Sequence, residues 1–86
     1  MKTLTIYTKP NCIYCKQAKE YLTGLEISFE EVDVMSHSSI RERLVAEGHK
    51  TLPVIYAGDK VLAPGGYQTL KTMRKEDILE RLNDAS

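Results

Sequence analysis

Cys12 and Cys15 are the only thiols in the chain, and two residues lie between them. They follow a short apolar stretch, Leu4 to Tyr7, at the point where the pattern turns helical. A Cys-x-x-Cys pair after a strand places the first sulfur at the free amino end of a helix and the second one turn deeper. The first can attack a disulfide and the second can resolve the product, which is the geometry of a dithiol redox centre. Attack requires the thiolate. A helix amino terminus favours negative charge at Cys12 by about 0.3–1 kcal/mol, and by up to about 2 kcal/mol when partly buried. Nearby charge works in the same direction: no Asp or Glu precedes Glu20, whereas Lys2, Lys9, Lys16 and Lys19 do. Lys9 and Lys16 are expected to come nearest the sulfur. Cys15 faces inward at helical spacing and is expected to be less accessible, to hold its proton and to act second.

Two other readings of the pair fit less well. An inert buried couple is disfavoured by the position of Asn11-Cys12 at a helix entrance. A zinc site would need His37 and His49, whose separation does not fit the C-x₂₋₄-C … H-x₃₋₅-H pattern. No metal is expected, and both histidines read as solvated residues near helix ends.

The elements that must position these sulfurs follow in order. Thr3 to Thr8 alternates around Leu4 and Ile6 and predicts a strand. Lys9-Pro10-Asn11 breaks it, with Asn11 the expected N-cap of a helix carried by Cys15, Ala18, Leu22 and Leu25 and ending near Gly24. Ile27 to Val34 predicts a second strand, with Phe29, Val32 and Val34 as its buried members, so strand–helix–strand implies a parallel pair. Ser39 to Glu42 fits a capping box opening a helix that ends at Gly48. Thr51 to Tyr56 and Val61-Leu62 predict a hairpin about Ala57-Gly58-Asp59-Lys60. A last helical region runs through Leu70, Met73, Ile78, Leu79 and Leu82, interrupted near Arg74-Lys75. The order is βαβαββα.

The 86 residues suit one domain spanning 1–86, a typical domain being about 100–150 residues. A chain this short buries only about 60–65% of its unfolded surface, so the core is adequate and not generous. Hydrophobic content of 42% with charged content of 28% is ordinary for a globular protein, and a formal net charge of zero makes no case for nucleic acid or membrane as partners. No apolar run approaches the roughly 20 residues of a membrane-spanning helix, and no signal-peptide pattern opens the chain. A cytoplasmic monomer is expected, where two thiols rarely serve as a staple and a bridge from 12 to 15 closes too small a loop to restrain the chain.

With its motifs in order, the chain resembles the glutaredoxin branch of the thioredoxin superfamily over nearly its whole length. The resemblance rests on Tyr7-Thr8-Lys9-Pro10, Cys12-Ile13-Tyr14-Cys15, Thr51-Leu52-Pro53 and Gly65-Gly66-Tyr67. Each segment alone is weak, but their joint order and spacing in so small a chain is specific. The resemblance implies an α/β, thioredoxin-like (glutaredoxin) fold with a four-stranded mixed sheet flanked by helices. It implies a thiol–disulfide oxidoreductase with Cys12 as nucleophile, Cys15 as resolving thiol and glutathione as electron-donating co-substrate. Protein disulfides and glutathione mixed disulfides would be its substrates, with ribonucleotide reductase among the partners.

Pro53 matches the family's cis-proline, which would aim the Leu52 backbone at the substrate. An extended peptide or glutathione could then pair with Leu52, in the Thr51-Leu52-Pro53 segment, as a short added strand. Tyr14 would flank the groove and pack on the bound thiol compound. Lys9 would pair with a glutathione carboxylate, with Lys50 as a weaker candidate. Gly66 would let backbone approach the ligand, and the amides of Tyr67 and Gln68 would hold a carboxylate at a helix start.

Two departures matter. Gln68 and Thr69 stand where glutaredoxins commonly carry Asp, which removes a charge-assisted bond about twice as strong as a neutral one. Ile13 replaces the proline common between the cysteines, a position that tunes the reduction potential. Related hydrogen donors of ribonucleotide reductase draw electrons from thioredoxin reductase instead. They usually carry Ser or Trp before the Gly-aromatic segment, so Gly65-Gly66-Tyr67 favours glutaredoxin proper. Readings of another class are a module binding an iron–sulfur cluster between two monomers, through Cys12 of each and glutathione thiols, and a scaffold with a vestigial site. The redox segments occurring together rank the oxidoreductase first.

Overall fold

The computed structural model describes residues 3–49, 51–58, 60–63 and 65–84. Its strands are β1 (Leu4–Thr8), β2 (Phe29–Asp33), β3 (Val54–Ala57) and β4 (Lys60–Val61); its helices are α1 (Ile13–Gly24), α2 (Ser38–Ala46), α3 (Tyr67–Leu70) and α4 (Lys75–Asp84). One sheet has the order β2-β1-β3-β4. β1 runs parallel to β2 and antiparallel to β3, and β4 is antiparallel to β3. The sheet is therefore mixed, as expected, and the final helical region is split between Leu70 and Lys75.

β1 is central and is buried at Leu4, Ile6, Tyr7 and Thr8. Successive side chains of a strand point to opposite faces, so β1 and β3 feed two separate cores. On one face Leu4, Ile6, Ile55 and Ala57 pack with Ala18 and Leu22 of α1, Leu70 of α3, and Ile78 and Leu82 of α4. On the other, Tyr7, Val54 and Tyr56 pack with Val34 and with Leu44 of α2. At about 1.5–3 kcal/mol for each large apolar side chain withdrawn from water, the first core is the main source of stability.

Several boundaries differ from expectation, each for a local reason. Asn11 is not the N-cap of α1; it takes a left-handed backbone (φ 62°) and hands the cap to Cys12. α1 closes through Glu26 (φ 60°), with the Ile27 N–H bonded to Leu22 O at 3.0 Å, so the left-handed turn falls two residues after Gly24. β2 is shorter than Ile27–Val34, because Val34 already begins a 3-10 turn (Val34–Ser36) capped by the Asp33 carboxylate on the Met35 N–H at 2.8 Å. Phe29 and Val32 are only partly buried on this edge strand, while Val34 is buried as expected.

That turn runs straight into α2, so His37 takes the N-cap with no side-chain bond and Ser39 lies inside the helix. The expected capping box does not form, but the stop at Gly48 (φ 90°) does. β3 starts at Val54, not at Thr51. Pro53 has no N–H for a ladder, and Thr51–Pro53 instead form a loop that turns toward Cys12. His37 is exposed as expected, whereas His49 is half-buried, its Nε2 3.1 Å from Tyr56 Oη.

Candidate active site

The two sulfurs sit where β1 ends and α1 begins. Cys12 is extended (φ −101°, ψ 108°), and its own Sγ caps the helix by accepting the Cys15 N–H at 3.2 Å. A cap usually comes from Ser, Thr, Asp or Asn oxygen; here a sulfur receives both the helix amide and the positive end of the helix dipole. Cys12 is half-buried. Cys15 lies one turn deeper and is 2% exposed. Burial, and then the hydrogen bond with Cys12, push the Cys15 thiol up to about 12 from an ordinary 9.0, against a lowering influence from the Lys9 backbone and Lys19. One sulfur is thus reachable and the other is held as a protonated reserve.

The facing wall comes from the other end of the chain. Leu52 O lies 3.9 Å from Cys12 Sγ, and the Leu52–Pro53 bond is cis, as the resemblance implied. Gly66 takes φ 64°, and a Cβ there would sit 2.9 Å from Pro53 O, so only glycine lets α3 begin this close to the loop. Tyr14 is about half exposed and stacks with Tyr67, ring centroids 6.3 Å apart and planes at 27°. Lys71 Nζ lies 5.9 Å from the Tyr67 ring centroid, a cation over a ring face.

Of the residues singled out from sequence, Cys12, Cys15, Leu52, Pro53 and Gly66 converge, and Tyr14 with Tyr67 makes an aromatic flank. Thr51 and Leu52 line a groove of about 230 Å³ together with Lys9. Gln68 is exposed on α3. Thr69, its neighbour, accepts the Gly65 N–H through its Oγ1 at 3.1 Å. Lys50 lies outside the described residues.

The same groove contains Met35, Arg41, Val45 and His49, which sequence reasoning did not assign to a site. Arg41 read there as part of a capping box, and only the path of α2 past the loop at Thr51–Pro53 brings it in. A second opening of about 510 Å³ lies on the other side of the cysteines, lined by Lys9, Lys16, Lys19, Glu31, Asp33 and both sulfurs among others. Lys16 therefore does face the pair, from this side.

A scan against family models matches glutaredoxin over residues 4–62. The chain is 32% identical over 82 residues to the glutaredoxin-like protein NrdH of Escherichia coli K12, covering 95% of this chain and 90% of that one. A solved structure of E. coli NrdH-redoxin, described by its thioredoxin-like activity profile, superposes with a TM-score of 0.70 at 29% identity, over 91% and 92% of the two chains. A glutaredoxin from Brucella melitensis superposes with a TM-score of 0.74 at 31% identity, over 99% and 91%. A reachable sulfur capping α1, a protonated partner beneath it and a backbone wall opposite agree with these likenesses: the chain belongs to the glutaredoxin family and is a thiol–disulfide oxidoreductase.

Proposed function

We propose that this protein reduces protein disulfides through a two-thiol cycle, Cys12 attacking and Cys15 resolving, with a thioredoxin-like profile of partners. The observation that carries this is the pairing of unlike sulfurs: Cys12 Sγ on a helix amide at 3.2 Å, and Cys15 buried with its proton held. Thiolate attack on the substrate disulfide leaves a mixed disulfide on Cys12. Cys15 then attacks Cys12 Sγ, forming the internal disulfide and releasing the reduced substrate. The Leu52 backbone opposite Cys12 suits pairing with an extended segment of the substrate, and ribonucleotide reductase belongs to the class of protein disulfide this would serve.

The source of electrons has two readings, each with its own support. Recharging by thioredoxin reductase is supported by the near-full-length likeness to NrdH proteins and by neutral Gln68 and Thr69, with Thr69 already committed to Gly65. Recharging by glutathione, with glutathione mixed disulfides as further substrates, is supported by the Tyr14–Tyr67 flank and by Lys9 and Arg41 in one groove, two cations suited to a carboxylate. The first is favoured. NADPH consumption on a protein disulfide, coupled through thioredoxin reductase or through glutathione with glutathione reductase, separates them. Faster turnover in the glutathione arm reverses the preference.

The roles of the two thiols are tested by Cys15→Ser. The variant is expected to lose nearly all turnover on protein disulfides while still forming a mixed disulfide at Cys12. Full turnover of that variant on protein disulfides would contradict the assigned roles.

A further inference from the structure

Thr8 is the single polar residue buried in the described core, at 2% exposed. It ends β1, on the same strand face as Leu4 and Ile6 and therefore toward α1. Its Oγ1 donates to Glu31 Oε2 at 2.8 Å, and the same carboxylate oxygen receives Lys19 Nζ at 2.8 Å. Glu31 stands opposite Ile6 in the parallel β1–β2 register, and Lys19 is one turn after Cys15 on α1. Three elements thus converge on one carboxylate beside the cysteines.

All three residues line the 510 Å³ cavity that also contains Cys12 and Cys15, on the side away from Leu52 and Pro53. A surface ion pair alone adds little stability, which leaves the commitment of a buried threonine to it without a structural purpose. The arrangement does fix the Lys19 ammonium, at the end of a flexible stem, on the rear of the dithiol.

We propose that Lys19, held by Glu31 and Thr8, supplies the positive charge that stabilises the Cys15 sulfur as it becomes the attacking thiolate, making Glu31 and Thr8 positioning residues for the resolving step. In that step Cys15 gives up its proton to solvent in the cavity, and its electron pair forms the bond to Cys12 Sγ. The bond from Cys12 to the substrate sulfur breaks with its electron pair, and the leaving thiolate takes up a proton. One disulfide is exchanged for another, and the substrate is reduced at the expense of the two cysteines. The difficulty in this step is ionising a buried thiol. In the reduced pair the Cys12 charge opposes ionisation of Cys15 and Lys19 favours it; in the mixed disulfide Cys12 carries no charge, and the Lys19 charge remains, offset in part by its partner Glu31. The other charged groups facing the cavity are Lys9 from the β1–α1 loop, Lys16 from α1 and Asp33 from β2.

This inference rests on Cys15 being the resolving thiol, and the test keeps the two apart. The reduced full-length protein is mixed with 5,5′-dithiobis(2-nitrobenzoate) in a stopped-flow instrument across a pH series. A first thionitrobenzoate is released when Cys12 attacks, and a second when Cys15 attacks the mixed disulfide. Lys19→Met is expected to slow the second release about three- to tenfold and to move its pH midpoint upward, with the first release unchanged. Lys19→Arg is expected to restore the second rate. An unchanged second release in Lys19→Met, equal slowing of both releases, or no recovery in Lys19→Arg would each overturn the proposal. A second equivalent absent from the unaltered protein would overturn the role of Cys15 itself, a result distinguished by stoichiometry and not by rate.

Discussion

The two faces of the sheet use polar groups to different ends. On the α1 face the apolar core is extensive, and its polar residues, Thr8, Glu31 and Lys19, gather at the end where the cysteines lie. On the α2 face the core is small and is braced by hydroxyls: Tyr7 and Tyr56 meet edge to face with centroids 5.7 Å apart, Arg43 donates to Tyr7 Oη at 3.2 Å, and the Tyr56 hydroxyl donates to the Glu47 carboxylate. Burial, and then that hydrogen bond to Glu47, push the Tyr56 phenol up to about 12. Where apolar area is plentiful, polar groups are free to serve chemistry; where it is scarce, they are used to close the fold.

If that contrast holds, truncating the larger core should do the most damage. Leu22→Ala, at a fully buried position on the α1 face, is expected to cost about 3–5 kcal/mol, and Leu44→Ala under α2 about 2–3 kcal/mol. Urea melts of the two variants measure this directly, and equal losses would erase the distinction between the faces.

Alkaline stability separates the faces next. Cys15 and Tyr56 both have folded values raised to about 12, above ordinary values of 9.0 and 10.0. The unfolded chain therefore releases these protons first. Their contribution is complete below about pH 9 and is lost as pH rises toward 12. Urea melts of the reduced protein from pH 8 upward are expected to show stability falling across this window. Cys15→Ser should remove the part beginning near 9, and Tyr56→Phe the part beginning near 10. A flat profile in the unaltered protein would mean that neither proton is held by the fold.

The smallest expected effect is that of Tyr56→Phe near neutral pH. Losing the hydroxyl leaves its partners Glu47 and His49 near solvent, so the cost is about 0.5–1.5 kcal/mol. Turnover on protein disulfides should be unaltered. A large loss of turnover would mean that the α2 face reaches into the chemistry after all.

Much of this molecule was legible from residue order. Cys12-x-x-Cys15 after an apolar strand and the break before Lys75 follow from local rules of spacing, whereas the cis proline at 53 followed only from the family resemblance, since spacing alone fits a trans bond equally well. The misreadings were local rules overruled by neighbours. Asn11 is a good cap, but Cys12 took the position. Ser39 and Glu42 match a capping box, but the 3-10 turn at Val34–Ser36 delivered the chain to His37 instead. His49 looked solvated until Tyr56 came beneath it from β3.

Sequence by itself determined the order of elements, the dithiol and its place at a helix entrance, since these depend on periodicity and on contacts a few residues apart. Tertiary structure alone decided which groups surround the sulfurs. Leu52 is 40 residues from Cys12 and Glu31 is 23 from Thr8, and no spacing rule brings such positions together. They meet because β1, running parallel to β2 and antiparallel to β3, places the loop before β3 on one side of the cysteines and the β2 face on the other.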